Sequence, residues 1–266
     1  MRHYFQKKFI LLFFILILLF TSIFSQQDYT RIEKNLFQRF VIANKFFEKG
    51  KKYFLKKKLN KAERELEKCI QKMPEHADAY FFLSQISYQK GDYPIALDYM
   101  LKAKKNFKFL AKLKVNAQQQ YIIQLQEIKR NLEERLLLLK EQLGKTSNPE
   151  EKSSLEAEIG KVEGEIGTIN NRLNRPLPEI EQIPADYFYF HGNILFKLKK
   201  YQEAHDQYIK TIELDPKHAY AYNNLALLYY MAKNYQRALD YLNQAEVNGV
   251  KVNQKLKKTI LDALKK

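Results

Sequence analysis

The residues that could catalyse a reaction or bind a metal are few and scattered in this chain of 266 residues. The single cysteine, Cys69, excludes an internal disulfide and a cysteine-cluster zinc site. No glycine-rich phosphate loop or nucleophile elbow occurs. No two histidines have the four-residue spacing of a helical zinc site; they are His3, His76, His191, His205 and His218. The sequence therefore predicts a protein that is not an enzyme and needs no cofactor or metal, so its chemistry is non-covalent recognition.

The composition favours a helical protein with a packed core. Hydrophobic residues make up 45% of the chain. With only 8 Gly and 7 Pro, the chain has few of the turn residues that an all-β protein requires. The formal net charge of +16 favours an acidic partner, an anionic membrane surface or nucleic acid.

The N-terminus has the form of a secretory signal. Three basic residues within 1–8 precede an unbroken apolar run over 9–20, FILLFFILILLF, and a short polar exit follows. We expect a signal peptide over 1–25 with cleavage after Ser25. The run is shorter than a membrane span requires, which favours a signal peptide. Because Ile23 is a poor small-residue partner for cleavage after Ser25, an uncleaved membrane anchor is the alternative. Export to the periplasm or cell envelope disfavours nucleic acid and favours protein, peptide or envelope partners.

Internal repeats define most of the remaining chain. Segments that start at Ala77, Ala185 and Ala219 align without gaps, and within each half of the chain equivalent residues are 34 positions apart. In the second half the equivalent pairs are Phe188 and Tyr222, Gly192 and Ala226, Tyr201 and Tyr235, and Ala204 and Ala238. In the first half they are Phe46 and Tyr80, Gly50 and Ser84, and Ala62 and Ala96.

This pattern of an aromatic, a small residue four positions later, an interhelical Tyr and an Ala resembles the tetratricopeptide repeat (TPR) family. Four copies are visible, at Ala43–His76, Ala77–Leu110, Ala185–His218 and Ala219–Val252. The resemblance implies an all-α solenoid of stacked helix pairs, in which small residues let the paired helices approach. Cys69 falls on an inward helix face, where we expect a small core residue.

The two pairs of repeats flank an insert over 111–183. The spacing of its apolar residues predicts two helices. The first ends near Gly144, and the second begins at Asn148-Pro149, an N-cap followed by a first-turn proline. The apolar positions are Leu125, Ile128, Leu132, Leu136, Leu139 and Leu143, then Leu155, Ile159, Val162, Ile166, Ile169 and Leu173. We expect an antiparallel coiled-coil hairpin. One possible role of this hairpin is a second surface, for partner binding or for homo-oligomerisation. The alternative is a spacer that folds back on the repeats.

The predicted organisation is a signal over 1–25, a helical lead-in over 26–42, repeat pairs over 43–110 and 184–248 on either side of the insert, and a basic capping helix over 249–266. The capping helix carries an apolar stripe of Val252, Leu256, Ile260 and Leu264. Its lysines, like those of the run from Lys102 to Lys114, either form a solvated face or contact an anionic membrane or envelope polymer.

The resemblance also implies where a partner binds, because the first helix of each repeat lines the concave face in this family. Carried over position by position, the partner-binding residues are Phe47, Lys51, Phe54, Phe81, Gln85, Tyr88, Tyr189, Asn193, Phe196, Asn223, Asn224, Leu227 and Tyr230. Aromatic rings and amides suit an extended or helical peptide. Packing between repeats is the alternative role for the rings.

Asn193 and Asn224 match the asparagine pair of the family's carboxylate-clamp members. The lysine that accompanies this pair is replaced by Tyr189, so the sequence disfavours a clamp for chaperone tails. We therefore expect an exported, non-catalytic scaffold that binds a protein or peptide in its concave groove. The alternative is a membrane-anchored structural protein that oligomerises through the hairpin and contacts the anionic envelope.

Overall fold

A computed structural model describes residues 35–176 and 182–265. These residues form helices and no strands, which confirms the all-α prediction. The helices are α1 (35–55), α2 (Leu59–Lys72), α3 (Ala77–Lys90), α4 (Tyr93–Lys145), α5 (Pro149–Leu173), α6 (Ala185–Lys197), α7 (Tyr201–Leu214), α8 (Ala219–Met231), α9 (Tyr235–Val247) and α10 (Gln254–Leu264). The predicted signal over 1–25, and the lead-in as far as 34, lie outside the described residues.

The described chain divides into two compact units, with boundaries after Phe107 and after Gln182. One unit contains the repeats, and the other consists of 108–182. The long helix α4 contributes to both, since its first turns complete the second repeat and its remainder lies in the 108–182 unit.

Small residues lie where the two helices of each repeat meet, as the repeat pattern predicts. The helix-B alanines Ala62, Ala96, Ala204 and Ala238 are all fully buried. A β-carbon added to Gly50 would come within 2.7 Å of Leu66 Cγ, far closer than side chains approach. In the second repeat, Ser84 makes the approach possible with a hydroxyl that donates to the Ala96 carbonyl at 2.7 Å. The close approach therefore recurs in all four copies.

The repeats on either side of the insert stack directly on each other. Helix α3 of the second repeat contacts α6 of the third. Between them the rings of Phe81 and Tyr187 stack at 4.1 Å with an interplanar angle of 9°. The Tyr187 hydroxyl donates to Asp78 Oδ1 at 3.2 Å, which satisfies this buried group. The solenoid thus continues from the second repeat to the third although 75 residues of chain separate them.

The turn between the paired helices uses the same backbone conformation in every repeat. Lys57, Gly91, Lys199 and Lys233 occupy equivalent positions, and their φ angles are +56°, +88°, +60° and +59°. This left-handed region costs an ordinary L-residue about 1–2 kcal/mol, whereas glycine adopts it freely. Only the second repeat has glycine there.

Residues 108–182 contain an antiparallel helical hairpin. Helices α4 and α5 pack through an apolar cluster centred on Leu139, Ile159 and Val162. The two helices run antiparallel, because residues at increasing distance from the short 146–148 turn meet in pairs: Arg135 contacts Glu158, and Tyr121 contacts Arg172 farther along. Asn148 caps α5 by accepting from Glu150 N at 3.0 Å, and Pro149 is the first helical residue, as predicted.

The last helix covers the end of the solenoid. Val252 and Ile260 are buried in a cluster with α9 residues such as Leu242, and Leu256 packs beside them. Leu264, the fourth residue of the apolar stripe, is 40% exposed. Helix α9 ends at Val247 with Asn248 as its C-cap, and Gly249 follows in a left-handed conformation with φ +94°. Asn248 and Gly249 thus terminate the repeat in place of a proline.

No helix over 35–176 or 182–265 combines the length and apolar character that crossing a membrane requires.

Replacement of Lys233 by glycine should stabilise the repeats by about 0.5–1 kcal/mol, because the relief of left-handed strain exceeds the entropy that glycine adds to the unfolded chain. The neighbouring Ala232→Gly is the matched control, since Ala232 has φ −79° and loses stability on the same replacement. Urea unfolding followed by circular dichroism measures both. Equal destabilisation by the two variants would contradict the strain at Lys233.

Candidate functional site

A cavity of about 240 Å³ opens where the second, third and fourth repeats meet. Helix α3 contributes one side chain, α6 three, α7 one and α8 two. We call these residues the amide pocket; they are Tyr88, Tyr189, Asn193, Phe196, Tyr208, Asn224 and Leu227. None of the seven carries a charge near neutral pH. The pocket therefore offers aromatic surface and neutral hydrogen-bonding groups.

The acceptor capacity of Asn193 is already used within the protein. Its Oδ1 accepts a hydrogen bond from the Tyr208 hydroxyl at 2.9 Å and another from Asn224 Nδ2 at 2.9 Å. Because a carbonyl oxygen has two lone pairs, these two bonds satisfy it. The Asn193 Nδ2 donates to no residue of the described chain, although it lies in the pocket wall. This amide group therefore presents donors and no free acceptor.

Tyr208 holds the Asn193 side chain in this orientation from the core side. The residue is 1% exposed and packs against Gly192, where an added β-carbon would lie 2.5 Å from Tyr208 Cε1. Burial raises the pKa of the Tyr208 hydroxyl, so it remains a proton donor to Asn193 throughout the ordinary pH range. The same small residue that lets α6 approach α7 thus makes room for the ring that orients the pocket amide.

A contact between two aromatic rings recurs in the last three repeats, and two of these rings, Tyr88 and Phe196, line the amide pocket. In each of the last three repeats, a ring near the end of the first helix contacts the tyrosine that starts the second helix. We call these the aromatic pairs: Tyr88–Tyr93 at 5.4 Å, Phe196–Tyr201 at 5.5 Å and Tyr230–Tyr235 at 6.1 Å between ring centroids. The interplanar angles are 61°, 64° and 53°, and none of the six residues is fully buried.

Six residues of the sequence-derived binding set line the amide pocket: Tyr88, Tyr189, Asn193, Phe196, Asn224 and Leu227. Two others belong to α8 but do not line the pocket. Asn223 Nδ2 donates to Asn224 Oδ1 at 3.5 Å, and Tyr230 belongs to the last aromatic pair.

The remaining residues of that set are not brought to the pocket. Phe47 is 5% exposed, and its ring packs on that of His76 at 4.9 Å. Phe54 contacts Phe82 edge-on, and Phe81 stacks on Tyr187. These three rings pack against neighbouring rings within the repeats. Two polar members complete the set: Gln85, which is half-buried, and Lys51, whose Nζ lies 5.9 Å from the Phe47 ring centroid.

Sequence reasoning missed Tyr208. Its equivalents in the other repeats, Leu66, Met100 and Leu242, are fully buried aliphatic residues, so the position reads as core. A tyrosine among aliphatic equivalents was the available signal, because a buried hydroxyl requires a hydrogen-bond partner nearby.

A polar cluster lies at the junction where the stack crosses the insert. Lys104 Nζ is 3.9 Å from the centroid of the Phe188 ring, 3.0 Å from Gln207 Oε1 and 3.4 Å from His191 Nδ1. Lys104 belongs to the basic run for which the sequence suggested a solvated face, but it is half-buried. Burial lowers the pKa of Lys104 to about 8.

His191 in this cluster replaces a core leucine. The equivalent residues of the second and fourth repeats are Leu83 and Leu225, both buried. His191 is 8% exposed and shares a 3.0 Å hydrogen bond with Gln207. Burial, followed by the charge of Lys104, lowers the pKa of His191 to about 4, so the imidazole is neutral near pH 7.

Within the described ranges, no three His, Cys, Asp or Glu side chains are grouped so as to hold a metal ion. Cys69 is fully buried, and burial raises the pKa of its thiol to about 12, as expected of a core residue rather than a nucleophile.

Residues 57–111 and 190–249 match the family model described as Tetratricopeptide repeat. The chain therefore contains tetratricopeptide repeats on both sides of its insert, which confirms that part of the prediction.

A stretch of 54 residues is 37% identical to Stress-induced-phosphoprotein 1 of Caenorhabditis elegans; it covers 20% of this chain and only 17% of that protein. Among solved structures, a thermophilic TPR protein of Thermus thermophilus is 14% identical with a TM-score of 0.36, over 84% of this chain and 100% of that one. The pilF protein of Pseudomonas aeruginosa is 19% identical with a TM-score of 0.39, over 86% of each chain.

The variant Gly192→Ala should lose about 1–3 kcal/mol of stability, because its β-carbon displaces the Tyr208 ring. Combining it with Tyr208→Leu, the residue type of the first and fourth repeats, should restore part of the loss. Gly164→Ala in α5 is the control, since nothing lies within 4 Å of the added carbon and the helix gains propensity. Unfolding in urea measures all three. Equal effects of Gly192→Ala and Gly164→Ala would refute the close approach.

Stability should also depend on pH through His191. In the unfolded chain an imidazole has a pKa of about 6.5, and in the folded protein that of His191 is about 4. Between these values the unfolded chain binds the proton more readily, so the contribution is complete above about pH 6.5 and falls by up to about 3 kcal/mol toward pH 4. His191→Leu should flatten the dependence of unfolding free energy on pH in this window. An unchanged slope would rule out a buried neutral imidazole.

Proposed function

We propose that this chain is an exported, non-catalytic scaffold that holds an extended segment of a partner protein in the concave groove of its repeats. The observation that carries the proposal is the Asn193 amide, whose two N–H groups have no partner in the described chain, set among the aromatic rings of the amide pocket. A peptide carbonyl can accept a hydrogen bond from this partly exposed amide, and peptide side chains can cover the rings.

The energetics favour a ligand at this position. Asn193 is held by Tyr208 and Asn224, so little side-chain entropy is lost when it binds. Tyr88 and Phe196 supply aromatic surface, the kind of residue that dominates binding energy in protein interfaces. The pocket is small compared with a whole partner, and it therefore serves as an anchor within a longer groove.

We infer that the groove-facing part of the binding set, Tyr88, Tyr189, Asn193, Phe196, Asn224 and Leu227, makes the direct contacts. The inferred role of Phe47, Phe54 and Phe81 is to keep the neighbouring repeats rigid, since their rings pack on other rings.

We further propose that the α4–α5 hairpin is a coiled coil and provides a second surface. The packed positions Leu132, Leu136 and Leu139 on α4 follow the 3/4 spacing of a coiled-coil seam, and Ile159 and Val162 face them from α5.

The alternative function, a structural protein that oligomerises, is supported by two exposed side chains on the other side of α4. Leu137 is 70% and Leu138 60% exposed, and adjacent exposed leucines are typical of an interaction surface. The size of the protein in solution separates the two functions: a stable oligomer lost on Leu137→Glu would favour the structural role.

Location in the periplasm or envelope remains part of the proposal and depends on the basic, then apolar, sequence of 1–25. Sequencing the N-terminus of the protein recovered from cells tests it, and an intact Met1 in a cytosolic fraction would contradict it.

Selection from a random peptide library displayed on phage tests the binding function. Ligands enriched on the full chain should bind Asn193→Leu at least about tenfold more weakly, which corresponds to about 1.4 kcal/mol. Asn243→Ala, an exposed asparagine on α9, is the matched control and should bind as the parent protein does. Calorimetry measures the affinities. If no enriched peptide depends on Asn193, the groove is not the binding site.

A further inference from the structure

The helical hairpin leaves large apolar side chains uncovered on the face of α4 opposite its seam with α5. Leu139 is a buried residue of that seam. Leu137 precedes it by two residues, which is about 200° around the helix, and is 70% exposed. Phe109 and Ile123 are 42% and 56% exposed. Phe109, Ile123 and Leu137 follow one another at intervals of fourteen residues, close to four helical turns, so they share one face.

A seven-residue period connects these side chains. We call the positions that recur every seven residues the outer stripe; they are Phe109, Asn116, Ile123, Arg130 and Leu137, and all five are exposed. In a coiled coil, a period of seven keeps one stripe of a helix against a partner helix over many turns. Polar residues at such positions fix the register at a cost in stability. The outer stripe is therefore suited to pairing with one helix in one register.

The charges of the hairpin indicate which helix that is. The segments 108–126 and 166–176, which we call the hairpin base, contain five basic residues and no acidic residue. The basic residues of the hairpin base are Lys108, Lys112, Lys114, Arg172 and Arg175. The rest of the hairpin, 127–165, contains ten acidic and seven basic residues.

Two copies of this hairpin are complementary when they run in opposite directions. The positive base of each copy then lies beside the negative 127–165 segment of the other, whereas a parallel pair would set like charges together. An antiparallel pair of identical surfaces has a two-fold axis. The partner that this surface fits is thus a second copy of the chain.

A two-fold axis at Ile123 brings the outer stripe into register with that of the second copy. Residues equally far before and after the axis face each other. Phe109 and Leu137 are each fourteen residues from Ile123, so apolar side chains meet. The exposed Lys112 and Glu134 are each eleven residues from Ile123, so each dimer gains two contacts between opposite charges. A parallel pair would place each of these two charges against its own copy.

We propose that the outer stripes of two copies pack antiparallel about a two-fold axis at Ile123 and form a homodimer. This inference rests on the oligomerisation through the hairpin that is the alternative function above, and it names the partner, the symmetry and the register. The amide pocket lies in the repeats and the outer stripe in the 108–182 unit. A dimer therefore carries two pockets, which strengthens binding to a partner with two recognised segments.

Oxidation of the Ile123→Cys variant tests the axis. The native Cys69 is fully buried, so the new thiol is the accessible one. Two thiols at the axis come within disulfide distance, and most of the protein should become a covalent dimer. Ile128→Cys is the matched control: Ile128 is 48% exposed but lies about 140° around the helix from Ile123, so this variant should remain monomeric in denaturing electrophoresis. Equal crosslinking of the two variants, or none at position 123, would overturn the proposal.

An exchange of charges tests the register by sedimentation equilibrium of the full chain. Lys112→Glu and Glu134→Lys should each raise the dissociation constant of the dimer by about tenfold, because each change acts twice in a symmetric pair. Glu134 also lies 3.9 Å from Arg130 of its own helix, so the double variant is the decisive one. It restores opposite charges and should return to within about threefold of the parent. Lys152→Glu, an exposed lysine on α5, should not weaken the dimer.

The outcomes separate this inference from the functions proposed above. A double variant as weak as the single variants would overturn the register and leave oligomerisation standing. A chain that sediments as a monomer throughout would overturn both the inference and the oligomeric alternative. Neither result bears on the groove, since the dependence of library-selected ligands on Asn193 is measured independently.

Discussion

The close approach of two helices within each repeat is the constraint on which the rest of the structure depends. It requires a small residue on the first helix, such as Gly50 or Gly192, and an alanine on the second. Once the helices are this close, neither can bury its outer apolar face alone, so the pairs must stack on one another. The stack then places the first helices of successive repeats side by side and creates the groove. The stacking of the repeats thus depends on the small size of these few residues.

The insert leaves this stack unbroken because its two ends rejoin at the same packing surface. Helix α4 completes the second repeat before it enters the 108–182 unit, and α6 returns to contact α3. Tyr187 seals the junction with its ring on Phe81 and its hydroxyl on Asp78. The amide pocket draws Tyr88 from before the insert and its other six residues from after it. A pocket whose lining comes from both sides of the insertion point exists only if the stack is continuous there.

The sequence was sufficient to predict the repeats and six of the seven residues that line the amide pocket, for a physical reason. A period of 34 fixes which positions face inward, so a residue such as Asn193 can be assigned to the groove without coordinates. The period cannot say which of several aromatic equivalents stay accessible, because that depends on contacts with the next repeat. Phe47 and Asn223 occupy the same position of their repeats, yet the first is buried against His76 and the second donates to Asn224, which lines the pocket. The burial of Lys104 and His191 was missed for the same reason, since these residues meet where the second repeat contacts the third, which follows it only after the insert.

A structure of the protein with a library-selected peptide bound is the measurement that tests the central claim most directly. We predict an extended chain across α3, α6 and α8, with a peptide carbonyl within hydrogen-bonding distance of Asn193 Nδ2 and the Tyr208–Asn193 hydrogen bond retained. A peptide bound to the hairpin or the convex face, with the Asn193 amide still unpaired, would contradict it.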